Sequence, residues 1–489
     1  MAGAAAPALG DMRMTLFRMT MFRMTMFRMK LTGSLLAVAL LLVSPPARAE
    51  TLTDVLIAAY KNSDLLDQNR AVLKAADEDV AIALSALRPT LAFVAQANYA
   101  DQIRNGQVSD PNAGFSREDF LTTSFQLSAD LTLYDSGRTR LGVDVAKESV
   151  LATRDALVGV EQSVLLQAVS AYMNVRSRVE FVLLRQKNVR VIEQELRAAQ
   201  DRFEVGEVTR TDVALAEARL AASRSALAAA DGDLAVAREV FKTAVGAYPG
   251  TLAPPPASPA TARSPDDAKG VARRSHPSIL QAQRGVTIAE LNVARAQAAM
   301  GPSLTAGLQL GYTDTDVTRR SANLTYRQPI YAGGQLLAVT RKARNGAEAS
   351  RAQLLITAAA VSEDVGTAWA QLAVARAQID ASDRQITAAQ IAYNGVREEA
   401  TLGARTTLDV LDAEQELLNA QVNRIVAENT RYVAVYSLLA AMGLLTVDHL
   451  NLGIPTYDPV AHYNAVKSAP ALSLQGARLD KLLRSIGKD

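Results

Sequence analysis

The chain has 489 residues, of which 49% are hydrophobic, 5% are aromatic and none is cysteine. This length allows roughly two to four domain-sized units. The lack of cysteine excludes disulfides, thiolate nucleophiles, cysteine-ligated metals and a lipid anchor on an N-terminal cysteine.

A secretory signal peptide is predicted at the start of the chain. Lys30 precedes an apolar run over residues 31–43, and Ala47-Arg48-Ala49 follows, which predicts cleavage after Ala49. Residues 1–49 contain six basic residues and one acidic residue, so the mature chain keeps 46 basic and 49 acidic residues, a net charge of −3. The formal charge of +2 is therefore no argument for nucleic-acid binding. A Met-Thr-x-Phe-Arg repeat at residues 14–28 indicates a later start, near Met24 or Met29, or an extended basic region.

After Ala49, we expect no stretch that approaches the roughly 18 apolar residues of a membrane-spanning helix. An exported chain of this kind is periplasmic, secreted or an outer-membrane β protein. The third class requires strands.

The mature chain is a tandem repeat. A Tyr-x-x-Gly sequence at 134–137 recurs at 331–334, and an aliphatic-Gly pair at 205–206 recurs at 402–403, so both landmarks recur at the same offset. An earlier x-Pro-x-Leu sequence at 88–91 recurs at 301–304, at a larger offset. Two distant landmarks with one offset indicate duplication.

Between the Pro and Tyr landmarks, apolar and polar residues alternate with a period of two. The alternation predicts four strands of about ten residues, in two hairpins, at residues 91–99, 124–133, 304–313 and 322–330. The difference between the two offsets is assigned to a long polar loop at 101–119, against a short one at 314–320. A half-buried soluble sheet alternates in the same way.

The remaining sequence is predicted to be mainly helical. About 65 residues follow each hairpin, enough for a helix of roughly 100 Å, and a shorter helix returns from it. Apolar residues recur at heptad spacing on these helices. On the two returning helices they are Val213, Leu220, Leu227, Leu234 and Phe241, and Leu411, Leu418, Ile425, Tyr432 and Leu439.

These elements divide the chain into five segments. They are the extension and signal peptide at 1–49, a first repeat at 50–248, a proline-rich linker at 249–270 whose part up to Pro265 is predicted not to be helical, a second repeat at 271–443, and a C-terminal tail at 444–489. Four strands cannot close a membrane barrel, and an open edge is not tolerated in lipid. Several chains must therefore share one barrel, and twelve strands from three chains leave room for a channel, whereas eight from two do not.

Two motifs lie at the predicted helix turns. They are Arg202-Phe203-x-Val205-Gly206-x-Val208-x-x-Thr211-Asp212-Val213 and Gly403-x-Arg405-Thr406-x-x-Asp409-Val410-Leu411-Asp412-Ala413. With the duplicated layout, they resemble the TolC family of outer-membrane channels over residues 50–445.

The resemblance implies a mainly α fold with a membrane β part. In this family three tandem-repeat chains form one twelve-strand β-barrel, which continues as a long periplasmic α-helical coiled-coil barrel with a closed tip. It also implies an outer-membrane exit duct for efflux or type I secretion, which docks to a periplasmic adaptor and an inner-membrane transporter. No cofactor, metal or nucleic acid is implied.

Asp409 and Asp412 are the candidate pore residues. They lie three apart and share a helix face, so three inward-facing copies would make two carboxylate rings that select cations. The same residues also fit a helix start, capped by Thr406 or Thr407 and complemented by acidic side chains. The two interpretations are compatible, and the family resemblance favours the rings.

Arg405 matches a family residue that latches the closed tip to the turn of the first repeat. The resemblance gives Thr211 and Asp212 as its partners, with Asp201 at a position where the family has an amide. Ala400 replaces a tyrosine that helps the latch in the best-known members, so a weaker or differently connected latch is expected. An exposed pair of little energetic value is the alternative.

The turns at Val205-Gly206 and Leu402-Gly403 are the predicted adaptor-docking tips, although purely structural turns would have the same residues. We find no phosphate-binding Gly-rich loop, HExxH or G-x-S-x-G motif, and this argues against an enzyme. His276, His449 and His462 are interpreted as surface or packing residues. A periplasmic coiled-coil adaptor is the main rival interpretation, but adaptors have one helical hairpin and this chain has two.

Overall fold

The computed structural model describes residues 49–104, 116–314, 317–468, 478 and 481. The predicted signal peptide and the Met-Thr-x-Phe-Arg repeat lie outside the described residues. Residues 49–51 and 250–254 belong to a small unit of their own. In that unit Glu50 and Leu252 form a parallel β-bridge. All elements below belong to the other unit.

The first repeat contains four helices and two strands. In chain order they are α1 (Leu52–Asn62), α2 (Asp64–Ser85), β1 (Thr90–Arg104), β2 (Ser116–Tyr134), α3 (Arg138–Glu204) and α4 (Arg210–Val245). The second repeat contains α5 (Pro265–Ser275), α6 (Pro277–Ala298), β3 (Ser303–Thr313), β4 (Val317–Arg327), α7 (Gln335–Thr401) and α8 (Thr407–Ala441), and α9 (Ala461–Val466) follows in the tail.

The helix boundaries confirm the duplication residue by residue. Helices α5 and α6 repeat α1 and α2 at both ends with the offset of the proline landmarks. Helix α7 repeats α3 at both ends with the offset of the tyrosine and glycine landmarks. Helices α3 and α7 each contain 67 residues. Both repeats therefore build the same helix–hairpin–helix unit.

The heptad positions form the contacts between each long helix and the shorter helix that returns from it. Alanine and straight-chain residues favour helix in these segments, and the apolar seam is buried where α7 packs along α8. Buried residues on α7 include Val361, Val365, Ala368, Leu372, Ala375, Ala389 and Tyr393. On α3 they include Val175 and Val182. The coiled-coil prediction is confirmed.

The four strands form one antiparallel sheet in the order β1-β2-β3-β4. Its register pairs Phe125 with Tyr312 and Leu127 with Leu310 on one face, and Ser128 with Gln309 on the other. The alternating residues therefore share faces as predicted. The apolar face is exposed, with Leu308 at 59% and Leu324 at 66%.

The predicted strand lengths and loops need correction. Strand β1 has 15 residues and β2 has 19, so both are longer than predicted. Asp101 pairs with Asp119 in the ladder, and β4 already begins at Val317. Ladder hydrogen bonds join backbone groups, so polar side chains do not end a strand. Strand β4 ends at Arg327, and Pro329 lacks the N–H that further pairing needs.

Two further expectations differ from the structure. Helix α5 begins at Pro265, inside the predicted linker, because proline is tolerated at the first helical position, where Ser264 caps the helix. Among the described residues, one helix, α3, has an 18-residue window apolar enough to cross a membrane, and 44% of that window is buried. Helix α3 packs along α2, α4, α6 and α8, which requires such apolar residues.

The C-terminal tail packs onto α1 and α2. The Arg70 guanidinium lies 5.1 Å from the ring centroid of Tyr60 and 5.5 Å from that of Tyr457. His462 Nδ1 lies 3.1 Å from Oδ2 of Asp77, a carboxylate with no exposed surface. His462 therefore has a structural partner that the sequence alone did not indicate.

Gly443 is required where α8 turns into the tail. Its φ is +75°, and an added Cβ would lie 2.7 Å from His276 Cα and 2.9 Å from Ser275 O. We expect Gly443→Ala to lower the free energy of unfolding by roughly 2–3 kcal/mol, since backbone strain and a backbone clash combine. Gly453→Ala is the matched control, with φ +68° and nothing within 4 Å of its added Cβ. Thermal unfolding compares the two variants, and equal losses would contradict the clash.

Candidate functional site

The turn between helices α3 and α4 and the turn between helices α7 and α8 have the same backbone geometry. We call these two helix pairs the first and second helical hairpins. Gly206 and Gly403 adopt φ of +78° and +76°, as predicted for a left-handed residue after a helix. Glu207 N donates to Arg202 O, and Ala404 N donates to Glu399 O, both at 2.9 Å. These bonds satisfy carbonyl groups at the ends of α3 and α7.

The tips of these turns are apolar and exposed. Val205 is 71% exposed and Leu402 is 85% exposed. Each follows a long helix of one repeat. Such side chains are available to a partner protein.

A capping box follows each turn. Thr406 Oγ1 accepts from Asp409 N at 3.3 Å, and Asp409 Oδ2 accepts from Thr406 N at 3.0 Å and from Thr406 Oγ1 at 2.9 Å. Thr209 and Asp212 make the same arrangement at the equivalent positions of the first repeat. The predicted helix-start role of Asp409 is therefore present, and Thr406, not the buried Thr407, is the cap.

The capping hydrogen bonds also favour the ionised forms of Asp409 and Asp212. Hydrogen bonds from the backbone and then the side chain of Thr406 lower the pKa of Asp409 below its ordinary range. Bonds from Thr209 lower the pKa of Asp212 in the same way. Both carboxylates therefore stay ionised at neutral and mildly acidic pH.

Asp412 has a partner that the sequence analysis missed. Arg219 Nη2 of α4 donates to Asp412 Oδ1 at 2.6 Å, and the two side chains are 41% and 58% exposed. The pair joins the second repeat to the first. An exposed pair contributes at most about 1 kcal/mol, so Asp412 remains accessible to other cations.

Arg405 binds within its own hairpin. Its Nε donates to Glu399 Oε2 at 2.9 Å, whereas Asp212 is bonded in its cap. Within one chain, the described residues do not join Arg405 to Thr211 or Asp212, and Asp201 is exposed on α3. A latch between these residues would have to connect different chains.

Ala400 lies in the core of the second hairpin. It is 4% exposed and belongs to a cluster with Tyr393, Val410, Leu417 and neighbouring residues. Ala400 is thus used for packing between α7 and α8.

Glu414 is the functional candidate that sequence reasoning did not find. It is 7% exposed, and both of its carboxylate oxygens accept from Asn188 Nδ2, at 2.6 Å and 2.7 Å. A signal was available, since Glu414 follows the heptad residue Leu411 by three and so occupies a core position. A charged residue at a core position indicates a specific buried partner.

The comparisons with known proteins agree with this architecture. A family model described as "Outer membrane efflux protein" matches residues 55–247 and 270–444. The outer membrane efflux protein BepC of Brucella suis biovar 1 (strain 1330) is 36% identical over 434 residues, which cover 87% of this chain and 92% of BepC. The outer membrane protein TolC of Escherichia coli (strain K12) is 24% identical over 469 residues, 91% of this chain and 93% of TolC.

A solved structure gives the same fold. The crystal structure of the Campylobacter jejuni CmeC outer membrane channel matches with a TM-score of 0.70 at 18% sequence identity, over 86% of this chain and 89% of that one. The family match and the similarity to BepC set the periplasmic adaptor interpretation aside. The chain belongs to the outer membrane efflux proteins of the TolC family and is an outer-membrane exit channel for efflux or secretion.

Proposed function

We propose that three copies of the chain form one channel, with a twelve-strand barrel in the outer membrane and a helical periplasmic tube that closes at the hairpin tips. Strands β1 and β4 are the edges of the sheet, each paired on one side among the described strands. Lipid does not tolerate open edges. Twelve strands satisfy the edges and leave a lumen.

The spacing of the aromatic residues along the sheet agrees with the thickness of the apolar layer of a membrane. Tyr134 and Tyr326 lie at the end of the sheet that is next to the helices. Phe125 and Tyr312 pair with each other nearer to the loops. Tyr134 follows Phe125 by nine positions, which at about 3.4 Å per residue and a tilt near 40° gives roughly 23 Å. This is close to the apolar band of about 25 Å in such barrels.

The tip is proposed to carry the constriction. The observation that carries this proposal is the fixed, ionised Asp409 in the first turn of α8, directly after an exposed hairpin tip. With Asp412 one turn further, three chains would present six carboxylates to the lumen, a cation-selective arrangement. Arg405 would latch this closed tip to Thr211, Asp212 and Asp201 of the neighbouring copy.

The remaining assignments concern partners and processing. Val205, Gly206, Leu402 and Gly403 are proposed to dock a periplasmic adaptor, which connects the channel to an inner-membrane transporter. Their exposure and apolar character support this role. Cleavage after Ala49 is proposed to release the mature chain.

The proposed latch predicts that Arg405→Ser opens the channel. Loss of a charge-assisted contact between chains should raise single-channel conductance in planar bilayers at least about twofold, and should increase antibiotic uptake by cells. Glu399→Gln removes the partner of Arg405 within the chain and should leave conductance low. Equal opening by both variants would mean that Arg405 acts only within its own hairpin, and wild-type conductance in Arg405→Ser would remove it from the gate.

A further inference from the structure

The start of α8 reaches into the first repeat through three neighbouring positions. Leu411 is 1% exposed and packs with Ile192, Ala216 and Leu220 of the first hairpin. Asp412 pairs with Arg219. Glu414, one turn after Leu411, contacts Asn188. This face of α8 therefore holds the second hairpin against the first.

The contact at Glu414 is a buried polar network. Asn188 of α3 is 5% exposed, donates to Glu414 and accepts from Ser223 Oγ of α4. Ser223 is 8% exposed. Three helices from both repeats thus meet in one network, in which both oxygens of the Glu414 carboxylate lie within 2.7 Å of their donor.

A network of this kind is costly to break at a single member, because its former partner stays buried. Apolar seams can slide by small steps, whereas a buried carboxylate that loses its donor bears the full cost of desolvation. Glu414 lies three residues after Leu411, and Ser223 lies three residues after Leu220. Three residues separate the two core positions of a heptad, and polar residues at core positions fix the register of the helices. The exposed Arg219–Asp412 pair contributes little by comparison.

We propose that Glu414, Asn188 and Ser223 form an intrachain latch that holds the first turns of α8 against the α3–α4 hairpin. These are positioning residues, and the inference rests on the proposed gate at the tip. The latch sets where Asp409 and Asp412 stand, since both lie within two turns of Glu414 on the same helix. Release of the latch lets α8 separate from the first repeat and widens the constriction.

The separation can be measured without relying on channel activity. The chain has no cysteine, so Ala216→Cys places a single thiol per chain under Leu411, at a position with no exposed surface. Its rate of modification by a maleimide in the folded full-length protein reports how often the hairpins part. Planar-bilayer conductance of the same samples reports the gate.

Asn188→Leu is the main variant, because it leaves Glu414 buried without its donor. We expect maleimide modification to accelerate at least about tenfold, with a rise in conductance. Ser223→Ala, a milder change that tests the same network if Asn188→Leu folds poorly, should give about a threefold acceleration. Asn188→Leu/Glu414→Leu removes both polar groups and should return the rate to near the wild-type value.

Glu416→Gln is the matched control, because Glu416 is exposed and accepts from Gln385 of its own hairpin. It should change neither readout. Unchanged modification in Asn188→Leu and Ser223→Ala would overturn the latch, and so would a double variant as reactive as Asn188→Leu. Faster modification with unchanged conductance would keep the latch and instead refute the gate at the tip.

Discussion

Replacing Asp409 and Asp412 together by alanine is expected to abolish the cation selectivity of the channel. Six carboxylates at one constriction attract cations and bind divalent ions strongly, because their charges add in a confined space. The double variant should lose selectivity between potassium and chloride and require at least about tenfold more divalent cation for block from the tip side. Reversal potentials and block titrations in planar bilayers measure both effects.

Asp212→Ala separates charge at the constriction from helix capping. Asp212 makes the same capping box as Asp409 at the start of α4, so both substitutions remove a cap. Asp212→Ala should retain cation selectivity, although conductance rises if the proposed contact between Arg405 and Asp212 is lost. Selectivity that survives in the Asp409→Ala/Asp412→Ala variant would keep the channel but move the constriction to another part of the lumen.

Acidification is expected to close the channel through Glu414. Burial, the largest influence, raises the pKa of Glu414 above its ordinary value of 4.5, which favours the protonated form in the latched state. Protonation of Glu414 therefore stabilises the state in which the Glu414 latch is closed. This stabilisation is complete below about pH 4.5 and is lost as pH rises through the raised pKa of Glu414. Each unit of difference in pKa changes the ratio of latched to released channels by up to about tenfold.

The other titratable groups around Glu414 come from three helices. Arg185 and Glu195 of α3 and Arg219 of α4 act on its charge, and the Tyr393 phenol of α7 and Lys187 of α3 line the same cavity. Asp409 should not titrate in this range, because its cap lowers its pKa.

Open probability measured from about pH 4.5 up to neutral pH tests the effect. Wild type and Glu416→Gln should close on acidification by several fold, and Glu414→Gln should show little dependence on pH. The same pH response in Glu414→Gln would assign the titration to another group.

Much of the architecture follows from the sequence because it depends on local pattern. Alternation with a period of two predicts the faces of the sheet, since successive side chains in a strand point to opposite sides. The heptads predict the coiled coils, and Thr406 or Thr407 with Asp409 after the second glycine turn predicts a helix start. The two constant offsets between the landmarks predict the matching helices of both repeats. Each of these signals is read from a few residues and needs no knowledge of how distant parts of the chain pack.

Tertiary structure alone decided the contacts between distant segments. Arg405 pairs with Glu399, six residues away, and Asp412 pairs with Arg219, 193 residues away. The sequence alone does not distinguish these partners from other exposed charged residues. The burial of Glu414 depends on Asn188, 226 residues earlier, and that of Asp77 on the tail. The length of β1 and β2 was also decided by pairing, because backbone hydrogen bonds continue where side-chain patterns stop. The sequence determined which elements form, whereas the packing of two similar hairpins determined which charged groups are buried, because desolvation depends on every neighbour in space.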